Sequence, residues 1–464
     1  MEINLLTPFD IIYSIILIFI IIGFSSSIVN KNIASKPYYK IYKKGLFIKM
    51  LGGVSFCLIY ALYYQGGDTV NYYKGVYAMF EVFKDNPLKY FQLFFHEGDD
   101  FARNAFYQVK TFPPSYMLED PRTFTVIKIS SIFSLVGFGG FLPTTILLST
   151  FIYKWTWKLY SFMIKRYPLN ESAVNISILF LPSTVFWGGG IMKDTFAFGA
   201  TCYAVYGLHK LFIKKERNST TFIQLILAFY LIITVKAYIM FALFPGLLIF
   251  ANFERIKSIQ STFVKIIIIP FSVVFIVFIA NTLFFDFDDL FGKYSADKLL
   301  EEAAVQNADL QRSVYGSNSF SIGEFEPTIN GVLSKFVPAV NAALFRPYLW
   351  ETGSPTMLIS AIENSILALL SIFVLLTKPI KLFKNIKSDA FLIFCLLFTL
   401  ILGFGVGLST SNFGALVRYK IPFLPFFVFL ISYNLKFIRD KKPSKKEEIK
   451  DKNTIDNHMI KGLS

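Results

Sequence analysis

Charged side chains are sparse in this chain, 17% of 464 residues against 54% hydrophobic, so each one beside or inside an apolar run has to be accounted for. Asp68 follows two glycines in YYQGGDTVNYY, where a carboxylate can take a hydroxyl proton or cap the helix carrying Tyr72 and Tyr73. Lys193 and Asp194 lie in PSTVFWGGGIMKDTF. There glycines 188–190 are expected to let backbone approach a ligand, and Trp187 offers a stacking surface. Lys236 in TVKAY, Arg346 and Glu351 in LFRPYLWE, Glu363, and Arg418 in NFGALVRYKIPFLPFF complete the set. A charge within a membrane span is costly unless it faces a wet cavity or a partner. Plainer roles exist for each: lysines snorkel to headgroups, Arg346 and Glu351 pair across a turn, and Glu363 finds a structural partner. Taken together, the cations suit phosphate or pyrophosphate, which arginine grips with two parallel hydrogen bonds, and the carboxylates suit hydroxyl activation. An amphiphile with a phosphate headgroup and sugars would engage both.

The elements that must position these residues are apolar helices. Apolar segments fall near 9–29, 46–64, 127–160, 173–187, 195–213, 221–235, 238–253, 266–285, 356–377, 389–408 and 420–437. The expected fold is an all-α polytopic transmembrane bundle of about eleven spans, one unit over residues 1–437, with a basic and disordered tail over 438–464. The segment 127–160 is too long for one straight span and contains Gly137, Gly139, Gly140 and Pro143, so it should enter, break and then cross. Two large loops, 65–126 and 286–355, should carry amphipathic helices lying on the membrane surface. In the first, Tyr73, Val76, Tyr77, Phe80 and Phe83 form one helical stripe; in the second, helical stretches are expected near 296–310 and 328–345.

Net charge is +15, and its distribution decides what that means. Residues 31–49 hold six lysines and no acid, and alternate short loops repeat the bias. The positive-inside rule makes that face cytoplasmic, with the N-terminus outside, the C-terminus inside, and every unusual charge at the outer face of the cytoplasmic membrane. The basic excess therefore reports topology and membrane lipid as a partner, not nucleic acid. Cys57, Cys202 and Cys395 all lie in apolar runs, which leaves no disulfide framework and no cysteine metal site. Asp286-Phe287-Asp288 has the spacing of a nucleotide-sugar metal motif but faces outward, where such sugars are absent, and His96 to Asp100 reads as a solvated acidic tip. No cofactor is expected; a divalent metal is compatible with the chemistry but not indicated. Nucleotide-binding and hydrolase signatures such as Walker A, GxSxG and HExxH are missing from the sequence.

GGDTVNYYKG after an early span resembles the G-x-D-x-x-x-Y region of EpsG-like and Wzy-type polysaccharide polymerases. PSTVFWGGGIMKD and RYKIPFLPF look like segments of GT-C-class membrane glycosyltransferases that use polyprenyl-phosphate-linked sugars. The resemblance touches three or four short patches. It implies an acidic role in acceptor activation for Asp68 and a phosphate-holding role for Arg418. Lys193 and Asp194 fall in the second patch and would line the same site; Lys236, Arg346, Glu351, Trp187 and Tyr72 are the further substrate-binding candidates from their own sequence settings. In many GT-C enzymes the acidic loop follows span 1, whereas here it follows span 2, which favours the polymerase branch. The expected function is transfer or polymerisation of lipid-linked saccharides in surface-glycan assembly. The alternative is a transporter or flippase of the same lipids, built on discontinuous helices near 173–213 and 221–253. A non-catalytic scaffold would leave Asp68, Lys193 and Arg418 without a purpose.

Overall fold

The computed structural model describes residues 4–216, 218–258, 318–326 and 328–435. The regular elements among these residues are all helices, and the one β-type contact among them is an isolated bridge between Ser319 and Asn412. Among the described residues, five helices are long and apolar enough to cross a membrane: Pro8–Ile33, Pro37–Tyr63, Ser219–Lys236, Pro355–Thr377 and Ala390–Ser409. Two bent pairs, Pro121–Val136 with Phe141–Arg166 and Phe413–Tyr419 with Leu424–Ser432, raise the number to seven if each pair is one span. The expected eleven are not supported. The expected span 266–285, the motif at Asp286 to Asp289, the stretch 296–310 and the tail 438–464 lie outside the described residues. Tyr238–Phe253 is apolar but short, and 173–187 is broken and forms no helix long enough to span.

The first helix starts where Thr7 and Asp10 form a reciprocal capping box ahead of Pro8. Its outer stripe, including Ile12, Phe19 and Phe24, stays exposed, as a lipid-facing helix requires. The break expected in 127–160 is present. Phe138 and Gly139 take positive φ, and the helices on either side turn by 108°.

The loop 65–126 departs from expectation. It folds as helices Asp68–Asp85, Pro87–Gln92, Asp100–Val109 and Ser115–Glu119. The stripe on the first of these packs largely on protein. Tyr73 and Val76 are buried, the Tyr73 hydroxyl donates to Gly139 O at 2.8 Å, and the Phe80 ring lies against Gly139. The same periodicity that marks an interfacial face marks a face packed on protein, so sequence spacing alone could not separate the two. Likewise, Phe336–Phe345 buries one face against protein while Phe336 and Val337 stay exposed. It packs into the bundle through Ala339, Ala342 and Ala343.

Residues 171–192 form a broken segment: Glu171–Val174, one wide turn over Asn175–Leu179, a gap, then Pro182–Phe186. Two buried charges close the ends of that last helix. The Ser183 N–H donates to Glu363 Oε2 at 2.8 Å, and Lys49 Nζ donates to Thr184 O and Gly188 O at 2.8 and 2.7 Å. An anion at the N-terminus and a cation at the C-terminus oppose the helix dipole in the favourable sense, and both satisfy backbone groups that have no water to bond. Glu363 thus has the structural partner its plainer reading called for. Lys49, counted with the loop lysines, is buried at mid-helix instead.

Candidate functional site

Three ion pairs gather where the helix Asp68–Asp85 meets the starts of Lys193–Leu208 and Pro121–Val136 and the end of Phe413–Tyr419. Arg418 Nη1 donates to Asp68 Oδ2 at 2.5 Å, Lys236 pairs with Asp194, and Lys193 Nζ donates to Asp120 Oδ2 at 2.7 Å. Arg418 and Lys193 both act electrostatically on Asp194, which makes the three pairs one network. Each of the three pairs sets one cation against one carboxylate, so the desolvation cost of the buried members is offset by their partners.

Gly67 sets the position of Asp68. It is the residue that opens the helix, at φ +97°, and a Cβ there would come within 2.8 Å of the Tyr60 ring. Asp68 therefore occupies the first helical position and is not the cap. Its carboxylate is spent on Arg418 across 350 residues of sequence. Arg418 is held from its own side by Nε donating to Gly414 O at 2.9 Å, one helical turn earlier. The pair is graded in burial: the Arg418 side chain is 17% exposed and that of Asp68 is 49% exposed.

Asp194 and Lys236 form the sealed centre, with side chains 4% and 7% exposed. The Lys236 ammonium also lies 3.8 Å from the centre of the Tyr419 ring. Snorkelling, the simpler reading for Lys236, does not describe it. Removing Asp194 alone would leave a buried ammonium without its carboxylate. Asp194→Ala is expected to cost about 3–5 kcal/mol of stability, while Asp194→Ala with Lys236→Met recovers most of that loss. Thermal unfolding of the purified protein in detergent checks this; a double variant no more stable than the single would show that the pair is not the cause.

Nothing in the sequence marks Asp120. It precedes Pro121 and caps that helix through Arg122 N–H at 3.2 Å, a setting with no functional signature. Burial pushes its carboxyl pKa up, but hydrogen bonds from Lys193 and Thr123 outweigh this and hold it below the ordinary aspartate value. Tyr72 comes to the same place: it is buried beside Thr123, and burial, with Asp194, Asp68 and Asp120 around it, drives the phenol pKa upward. A phenol so placed stays protonated and can donate a hydrogen bond.

Three of the expected site features have protein partners. Trp187 is 3% exposed, donates to Ser360 Oγ at 3.3 Å and packs on Phe56 and Phe186, so its ring has no open face for a sugar. Glycines 188–190 approach protein and not ligand: a Cβ at Gly189 would lie 2.7 Å from Gly53 Cα, and one at Gly190 would meet the Phe56 ring. Arg346 and Glu351 pair with each other. The guanidinium rests 4.5 Å from the centre of Phe320, and Glu351 also accepts from Tyr348 N–H at 2.8 Å. That pair braces a turn, and its carboxylate is the arginine's anion already.

Two buried residues extend the network below Arg418. Lys420, fully buried, donates to Asn364 Oδ1 at 2.6 Å, and Asn364 donates in turn to Arg346 O at 2.9 Å. They tie the helix end carrying Arg418 to Pro355–Thr377. Among the described residues, no group of three or more His, Cys, Asp or Glu is placed to hold a metal ion. Comparison of the chain with family models, with curated proteins and with solved structures gives no match in any of the three.

Proposed function

We propose that this chain is an integral-membrane glycosyltransferase of the polymerase kind, acting on polyprenyl-phosphate- or pyrophosphate-linked saccharides. The observation that carries the reading is the pair formed by a half-exposed carboxylate, Asp68, and a largely buried guanidinium, Arg418. Beside them stand Lys236 and Lys193, each with its own aspartate. In the proposed step the acceptor hydroxyl oxygen attacks the anomeric carbon. The bond from that carbon to the carrier phosphate breaks, its electron pair goes to the phosphate oxygen, and the hydroxyl proton passes to Asp68. Arg418 neutralises the charge that develops on the departing phosphate, with Lys193 adding a second cation. Tyr72 donates to an oxygen of the substrate.

On this reading the network lies at the outer face of the cytoplasmic membrane, and the lysine-rich ends around residues 31–44 lie inside. A flippase of the same lipids is favoured by one observation, the broken segment 171–192 with Lys49 and Glu363 at its last helix. Lys49 and one carboxylate oxygen of Glu363 are occupied by backbone groups, however. The cavity lined by Lys49, Tyr153, Thr156 and Phe198 has room for about one water molecule, far too little for a saccharide headgroup.

Lipid-intermediate profiling of a deletion strain separates the readings. A transferase predicts build-up of single lipid-linked units on the outer leaflet and loss of polymer. Build-up confined to the cytoplasmic leaflet would give the function to the flippase, and unchanged glycans and lipids would retire both. Reporter tags at residues 33 and 100 in the complementing protein fix the sides; a cytoplasmic tag at 100 would overturn the outer-face assignment.

A further inference from the structure

The three pairs of the network differ in one respect that the transfer reaction does not explain. Asp194 is sealed, at 4% side-chain exposure, whereas Asp68 and Asp120 are 49% and 39% exposed. A carboxylate that already touches water can leave its cation for solvent at little desolvation cost, while a sealed one cannot. Arg418 has the opposite constraint. It is largely buried, and its Nε is fixed to Gly414 O, so it stays in place when its partner leaves. Lys193, at 24% exposure, faces Asp120 across the other edge of the sealed Asp194–Lys236 pair.

The geometry points to an anion-binding site that is closed in the free protein by its own carboxylates, with Asp68 on Arg418 and Asp120 on Lys193 as resident anions that an incoming phosphate or pyrophosphate displaces. This rests on the reading of Arg418 as the phosphate-holding group and adds two things to it. Asp68 is released from Arg418 only when a phosphate takes its place, so the group proposed to accept the hydroxyl proton is unmasked by substrate. Asp120 acquires a role as a positioning residue, holding Lys193 toward the site until the second anion arrives. The sealed Asp194–Lys236 pair keeps the fold closed beneath while the two outer pairs exchange.

The arrangement makes a prediction that a simple binding role for the aspartates would reverse. An internal competitor lowers apparent affinity by the fraction of time the cation is free, so removing the competitor should tighten binding. The probe is inorganic pyrophosphate without metal, titrated by calorimetry into the full chain purified in detergent. Asp68→Asn, which keeps an oxygen for Arg418 but not the charge, is expected to bind about tenfold tighter or better than the parent chain. Asp120→Asn should tighten binding as well, and adding Arg418→Ala to Asp68→Asn should abolish the gain. Monodispersity and melting temperature establish that each variant is folded. Unchanged, weaker or undetectable binding in folded Asp68→Asn would overturn the proposal. Tighter binding in both aspartate variants, in a protein whose deletion leaves all glycans intact, would retire the glycosyltransferase reading and keep the exchange site.

Discussion

Asp68→Asn is expected to reduce transfer by about two to four orders of magnitude, the usual range for loss of a positioned proton acceptor, while leaving the protein in the membrane at normal abundance. The stability half of this expectation follows from the helix start. Gly67 opens the helix, so no capping interaction is lost, and the amide oxygen of asparagine can still accept from Arg418. The activity half follows from charge: an amide cannot take the acceptor proton at neutral pH. Glycan output of a complemented deletion strain, at matched membrane abundance, reads the result. Wild-type output would reduce Asp68 to a partner that holds Arg418 in place. A fall in abundance matching the fall in output would make the residue structural.

The residues that form the network were legible one by one because each breaks the local rule of its surroundings. Asp68 follows a glycine pair, Lys193 and Asp194 interrupt an apolar run, and Arg418 opens an apolar segment. Their pairing was not legible. Asp68 and Arg418 are 350 residues apart, and Lys193 and Asp120 are 73 apart. No local pattern encodes a contact of that separation. Asp120 escaped notice because an aspartate before a proline at a helix start is satisfied by its own backbone. Lys49 escaped because it closes a run of lysines that the topology rule already explained.

The misread elements share one physical cause. Glycine marks close approach without naming what approaches, and residues 188–190 admit Gly53 and Phe56 of a neighbouring helix. An aromatic stripe marks burial without naming the solvent it leaves, and Tyr73 and Val76 leave water for protein. The helical class and the break near Gly139 did not depend on that distinction and are present in the fold. The number of spans did depend on it. An apolar run can be one continuous spanning helix or a broken segment packed within a bundle, and 173–187 is broken.

Arg418→Lys is expected to lower transfer by roughly two orders of magnitude, the equivalent of ~3 kcal/mol of lost transition-state stabilisation, even though the formal charge is kept. The reason is in how the guanidinium is used. Its Nε is committed to Gly414 O, and a different nitrogen, Nη1, faces Asp68 and the open side of the site. One planar group thus anchors itself to its own helix and presents an edge to an anion. A lysine ammonium is a single point: if it bonds Gly414 O it retreats from the phosphate position, and if it reaches forward it loses the anchor. Asp68 and Asp194 would both compete for that point charge. The comparison needs Arg418→Ala beside it, with purified lipid-linked substrate or glycan output at matched expression. Near-normal turnover by Arg418→Lys with loss only in Arg418→Ala would mean that charge alone matters. Near-normal turnover by both would place the carrier phosphate elsewhere and leave Arg418 as the counter-ion of Asp68.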